Sequence, residues 1–286
     1  MDPNNPKDLT DNSKNTNNTS NINLLVDTGY TLEQNIKNRP DYMEDMCNID
    51  LSFMGDKNKA LLMLYDGHSG IEVAKESIDK FPEIFKASLF NKNEDTEEQN
   101  TVEEAFKEAF DKLDSEFIKY EDVGSTAIIA YVCIENGKKV IYTANAGDSR
   151  AILFKKDKCI RLSFDHKAID KTEIARAKKA GGMFFRGRLG GSLAITRSLG
   201  DYVFKKDGGF GLISEPYVNR TLVEEGDMYI ILASDGVWDV INEEQCYKLV
   251  NDNLKLSAGK MSELIVKTSM DLGSKDNISC IVARLN

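Results

Sequence analysis

The sequence predicts an α+β fold in which antiparallel sheets carry helices on their outer faces. Strand-like runs cluster together and helix-like runs cluster together, without the regular βαβ alternation of a parallel sheet. Asn136-Gly137 lies between two strand runs as a hairpin turn. The 286 residues, 41% hydrophobic and 29% charged, suit a single well-filled domain over 23–286.

Residues 1–22 are rich in Asn, Ser, Thr and Asp and nearly free of apolar side chains, so they read as a disordered tail. Extended candidates at 23–36 and 46–53 flank NRPDYMED, residues 38–45. Leu61 to Tyr65 is a short apolar run, a buried strand that ends in the turn sequence DGHSG. Ser69 and Glu72 then form an S-x-x-E capping pattern, and Ile71, Ala74, Ile78, Phe81 and Phe85 recur at helical spacing. A helix is expected from there, with Pro82 ending or kinking it. After a charged connector at 91–100, Thr101 and Glu104 cap a second helix carrying Phe106, Phe110, Leu113 and Phe117.

Four strand candidates follow at 125–134, 138–145, 150–155 and 158–162. Asp170 and Glu173 cap a helix that ends at Gly181-Gly182. Residues 183–211 hold seven glycines and several basic residues and read as a mobile surface segment interrupted by short structure. A second buried strand, MYIILAS at 228–234, delivers Asp235-Gly236. Helices start near Asn242 and Ala258, and ISCIVA at 278–283 makes a last strand directly after Asp276-Asn277.

A formal charge of −10 disfavours a nucleic-acid backbone or an anionic membrane as partner, and no apolar run is long enough to cross a bilayer. Five scattered cysteines without a CxxC pair fit a reducing compartment, and MDPNN lacks the features of a signal peptide. The expected location is cytoplasmic or nuclear.

Three buried strands each carry an acid at one end: Asp66, Asp235 and Asp276. Glu44 and Asp148 stand at further strand boundaries, and the adjacent Glu44 and Asp45 must point to opposite faces. Carboxylates converging in a partly dry site repel unless protonated or neutralised by cations. An all-oxygen set points to Mg²⁺ or Mn²⁺ and away from zinc. A shared carboxylate would give a two-ion centre about 3.5 to 4 Å across, suited to phosphate-ester hydrolysis. Taken singly, each acid also fits a turn cap or a surface charge, and pattern alone leaves both readings open.

The ordered series RPDYMED, YDGHSG, GSTA, ANAGDSRA, LSFDHKA, AGG, GSLAITRSLGD, ASDGVWDV and SKDNISC closely resembles the metal-dependent serine/threonine protein phosphatases of the PPM, or type 2C, family. The resemblance runs from about residue 28 to the C-terminus. It implies a four-layer αββα sandwich, two central antiparallel sheets flanked by helices, with two Mg²⁺ or Mn²⁺ ions in a cleft at one end. By position, Asp66 resembles the carboxylate bridging both ions. Asp235 and Asp276 resemble ligands of the first ion, and Glu44 and the Gly67 carbonyl ligands of the second. Asp148 is similar to the ligand of a third, weaker ion, with Asp239 as helper, and Asn277 supports the site beside Asp276.

The resemblance makes Arg39 the holder of substrate phosphate, Asp45 the residue orienting the attacking water and His68 the general acid. His166 reads as structural. The implied partners are phosphoprotein substrates, and the expected state is a monomer. Arg39 stands five positions before Glu44, one more than is common in the family, so a bulge or shifted turn is required and Lys37 is a minor rival for the phosphate. Ser69 replaces a frequent glycine, and residues 183–211, with Arg186 and Arg188, resemble the family's flap. Two other functions compete: a catalytically weak or dead scaffold of the same fold, against which Glu44, Asp66, Asp235 and Asp276 are all present, and a small-molecule phosphoesterase.

Overall fold

The computed structural model describes residues 24–39, 42–92, 98–205 and 211–286. The expected tail at 1–22 lies outside the described residues, and the connector at 91–100 and the segment 183–211 lie partly outside them. In chain order the elements are β1 (Asp27–Glu33), β2 (Met46–Asp50), β3 (Lys59–Tyr65), β4 (Gly67–His68), α1 (Glu72–Phe90), α2 (Val102–Ser115), β5 (Gly124–Ser125), β6 (Ala127–Glu135), β7 (Lys138–Ala146), β8 (Arg150–Lys155) and β9 (Cys159–Arg161). They continue with α3 (Lys171–Lys179), β10 (Phe184–Phe185), β11 (Arg188–Leu189), β12 (Leu199–Gly200), β13 (Tyr217–Leu222), β14 (Asp227–Ala233), α4 (Asp235–Trp238), α5 (Glu243–Asn251), α6 (Ala258–Asp271) and β15 (Ile278–Arg284).

Two five-stranded sheets dominate, in the orders β13-β7-β6-β3-β2 and β1-β15-β14-β8-β9. Every pairing within them is antiparallel, as the segregated strand runs predicted. Strand alternation sorts the side chains into separate apolar clusters. Leu61, Met63 and Ile129 face Phe81, Phe85, Phe106 and Phe110 of α1 and α2. Their neighbours Leu62, Leu64, Ile128 and Ala130 meet Leu153, Ile230, Leu232 and Ile281 of the other sheet. Ile152, Phe154, Ile231 and Val282 pack against Val250, Met261 and Ile265 of α5 and α6.

Local chemistry explains most boundaries. Thr101 accepts from the Glu104 amide and the Glu104 side chain reaches back to the Thr101 amide, closing the capping box that starts α2. Asn242 and Gln245 do the same for α5, and the Asp170 carboxylate takes the Thr172 and Glu173 amides at the start of α3. Asn136 and Gly137 both adopt positive φ, 50° and 74°, which a two-residue hairpin turn between β6 and β7 requires.

The start and the course of α1 differ from expectation. Ser69 does not cap α1: the residue before the helix is Ile71, which makes no side-chain cap, and Ser69 itself sits at φ 60° in the left-handed region. Its backbone turns to present the next amide, Gly70, to the Glu44 carboxylate at 2.7 Å, so a long-range contact replaces the local cap. Pro82 does not end α1 either; the helix runs through it to Phe90. The fully buried Phe81 and Phe85, stacked with centroids 5.5 Å apart, hold that turn and offset the lost backbone bond.

Candidate active site

The strand ends place the acids. Tyr65 of β3 pairs with Met46 of β2, so Asp66 lies beside Glu44 and Asp45 on one sheet. Ala233 of β14 pairs with Cys280 of β15, which sets Asp235, first residue of α4, near Asp276 on the other. Asp148 occupies the turn by which β7 of the first sheet passes to β8 of the second. The acids therefore gather at one end of the paired sheets.

A cleft of about 330 Å³ there is lined by Arg39, Asp66, Gly67, His68, Asp148, Asp235 and Asp276, together with Arg188 and Ser192 to Ile195. Lys37 does not line it. Glu44 opens instead onto an adjoining groove that shares Arg39 and Ser69 with the cleft. Asp45 is buried, 1% exposed, beneath the cleft. Asp239 turns outward to Lys167, whose ammonium lies 2.8 Å from it and 3.7 Å from Asp148. The required turn ahead of Glu44 is visible in part: Asn35 takes φ 55° and its carbonyl accepts from the Asn38 and Arg39 amides, while residues 40–41 lie outside the described residues.

Supporting contacts are specific. Asn277 accepts the Glu44 amide at 2.9 Å through Oδ1 and donates through Nδ2 to the carbonyls of Gln34 and Tyr42. Arg39 Nη2 donates to the Asp276 carboxylate at 2.7 Å, and Nη1 is 4.0 Å from Glu44. Ser279 Oγ donates to Asp45 Oδ2 at 2.5 Å, while Oδ1 is buried with no hydrogen-bond partner among the described residues. His68 Nε2 lies 2.9 Å from Asp201 Oδ2.

Electrostatics expose the problem such a cluster creates. Burial, then repulsion from Asp45, Asp235, Asp276 and Asp148, pushes the Asp66 carboxyl well above the usual range. Burial followed by Asp148 and Asp276 does the same to Asp235. Burial also raises Asp148, partly relieved by Lys167, and raises Asp45 to about 7 against the Ser279 hydrogen bond. For His68, burial works to lower the pKa but the Asp201 hydrogen bond and charge outweigh it and the net shift is upward. His166 is fully buried, accepts the Gly147 amide on Nδ1 at 3.2 Å, and is pushed down to about 3 by burial, a neutral structural ring.

Among the described residues, no three His, Cys, Asp or Glu side chains are grouped so as to hold a metal ion as they stand. The donor set nevertheless fits a hard cation. Its atoms are carboxylate and carbonyl oxygens, burial and then neighbouring acids push the Asp66 and Asp235 carboxyls up, and Asp45 Oδ1 is a buried acceptor without a donor among the described residues. Asp201, Lys167, Ser279 and Ser234 are site neighbours that sequence reasoning did not single out. Asp201 and Lys167 stand inside the motifs GSLAITRSLGD and LSFDHKA, so position was available but no local pattern signalled their contacts.

Comparison with known proteins gives the class. The Protein phosphatase 2C family profile matches residues 32–278. Protein phosphatase 2C homolog 1 of Schizosaccharomyces pombe is 32% identical over 250 residues, 85% of this chain and 69% of its own. The protein of the same name from Saccharomyces cerevisiae is 29% identical over 259 residues, 85% of this chain and 88% of its own. A phosphatase from a pathogenic strain of Toxoplasma gondii superposes with TM-score 0.75 at 23% identity, covering 91% of this chain and 92% of that one, a likeness of fold. The chain belongs to the Protein phosphatase 2C family of serine/threonine phosphatases.

Proposed function

We propose that the chain hydrolyses phosphoserine and phosphothreonine in proteins, with two Mg²⁺ or Mn²⁺ ions at the acid cluster. The observation that carries this reading is the gathering of Asp66, Asp148, Asp235 and Asp276 in one cleft, where burial first and neighbouring carboxylates after it push the Asp66, Asp148 and Asp235 carboxyls up, a cost that a pair of divalent cations would relieve. Asp66 would bridge the ions, with Asp235 and Asp276 on one and Glu44 and the Gly67 carbonyl on the other. When bound, such ions supply positive charge to the phosphoryl oxygens and lower the pKa of the attacking water. A third ion at Asp148 and Asp239 would have to displace the Lys167 ammonium, which fits a weaker site.

The chain's own groups divide the remaining work. Arg39, anchored to Asp276 and 43% exposed, offers a planar fork of donors to the phosphate. Asp45, buried beneath the cleft, would orient the attacking water; its Oδ1 has no hydrogen-bond partner among the described residues. His68 lines the cleft and would protonate the leaving alkoxide. The catalytic unit would be the single domain 23–286, acting as a monomer on phosphoprotein partners. No helix among the described residues is long and apolar enough to cross a membrane.

Substrate competition tests the reading against a small-molecule phosphoesterase. A phosphothreonine peptide is expected to be turned over with kcat/KM at least about 100-fold above that of a free nucleotide, a discrimination of roughly 2.7 kcal/mol. Equal rates on both would contradict it.

A further inference from the structure

The proposed acid has a partner built for it. Three two-residue strands form a small sheet in the order β12-β5-β4. His68 lies opposite Gly124, and Gly124 lies opposite Gly200 on the other side. Asp201 follows directly, and its carboxylate reaches back across the middle strand to His68 Nε2, 2.9 and 3.0 Å from its two oxygens.

Several features hold that carboxylate in place. Asp201 is 1% exposed and accepts the Ser198 hydroxyl at 2.6 Å. A Cβ on residue 124 would lie 2.1 Å from Asp201 Oδ2, so the carboxylate occupies the space that a glycine in the middle strand leaves. Its own backbone is in the left-handed region at φ 53°, fixed by its amide on the Val123 carbonyl at 2.8 Å. Nδ1 of His68 has no hydrogen-bond partner among the described residues.

We propose that Asp201 is the positioning residue for phosphoester hydrolysis: it holds the His68 ring by Nε2 so that Nδ1 delivers the proton to the leaving oxygen. This rests on the assignment of His68 as the acid. Water attacks phosphorus, the P–O bond to the serine or threonine breaks, and the departing oxygen takes the Nδ1 proton with the bonding pair. The neutral ring keeps its Nε2–H on Asp201 and regains a proton from the one the water released to solvent.

The leaving group separates this role from a merely structural one. A phosphothreonine peptide expels an alkoxide that needs a proton, whereas p-nitrophenyl phosphate expels a stable phenolate that does not. On the peptide, His68→Gln is expected to lower kcat by about 100-fold and Asp201→Asn by about 10-fold, with KM unchanged; on the aryl ester each loses less than about threefold. The double variant should be no slower than His68→Gln alone. If Asp201→Asn slows both substrates equally, or leaves peptide turnover intact while His68→Gln lowers it, the positioning role is wrong and the acid assignment stands. If His68→Gln shows no leaving-group preference, the acid assignment falls and this role with it. Should Asp201→Asn not fold, Ser198→Ala, which removes the second clamp on Asp201, should give a smaller loss confined to the peptide, and an equal loss on both substrates would overturn the proposal.

Discussion

At the scale of single residues, the site is a balance between carboxylates that repel and the few groups that restrain them. Arg39 and Lys167 each meet one edge of the cluster, through Asp276 and through Asp239 and Asp148, and leave Asp66 in the middle among acids. Replacing Asp66 by Asn removes a charge that the metal-free fold resists but that two ions require. Asp66→Asn should therefore raise the melting temperature in chelator at pH 8 while lowering phosphopeptide turnover by at least about 100-fold; a lower melting temperature would show that the carboxylate is already satisfied. The position of Asp66 was legible in the sequence because an apolar strand followed by Asp-Gly is a local pattern. The partnership of Asp201 with His68 was not, since the two stand 133 residues apart and only a glycine on a third strand makes the contact possible.

Among elements, the same division between local and distant causes explains which boundaries could be read. Thr101, Asp170, Asn242 and Asn136-Gly137 act on backbone within three residues of themselves, and each marks a boundary where the sequence placed it. Ser69 looked like a cap by spacing, yet Glu44 of a different segment takes the Gly70 amide, and the turn forces Ser69 to φ 60°. A side chain in that conformation costs about 1 kcal/mol relative to glycine. Ser69→Gly should thus stabilise the fold by about 1 kcal/mol in chemical denaturation, less the extra entropy of the unfolded chain, with turnover retained; destabilisation would mean that the serine hydroxyl holds the turn. Pro82 does not end the helix for a related reason, because the aromatic cluster under α1 supplies tertiary packing that helix propensity does not include.

For the whole molecule, the acid cluster couples stability to pH and to cations. Asp45, Asp66, Asp148 and Asp235 all bind their protons more tightly folded than unfolded, with Asp45 at about 7. Over the range from ordinary carboxylate pKa values near 4 up to about 7, the folded chain carries more protons, so stability falls as pH rises. His166, pushed down to about 3 by burial, works in the opposite sense. Glu76 and Glu173, both held at about 2, act only at lower pH. In chelator the melting temperature should fall between pH 5 and pH 8, and Mn²⁺ should restore more at pH 8 than at pH 5; a melting temperature that rises with pH in chelator would contradict the assignment of these shifts. The α+β class, the antiparallel pairing and the outer helices were legible because strand runs and helix runs are segregated along the chain, whereas the way three segments converge on one cleft depends on register across sheets. The most direct test of the cation-dependent site is phosphothreonine-peptide hydrolysis by the full chain with Mg²⁺ or Mn²⁺ and then with excess chelator, with Asp235→Asn as control. Turnover should vanish in chelator, return on adding the ion, and be absent in Asp235→Asn, whereas undiminished turnover in excess chelator would contradict the proposed chemistry.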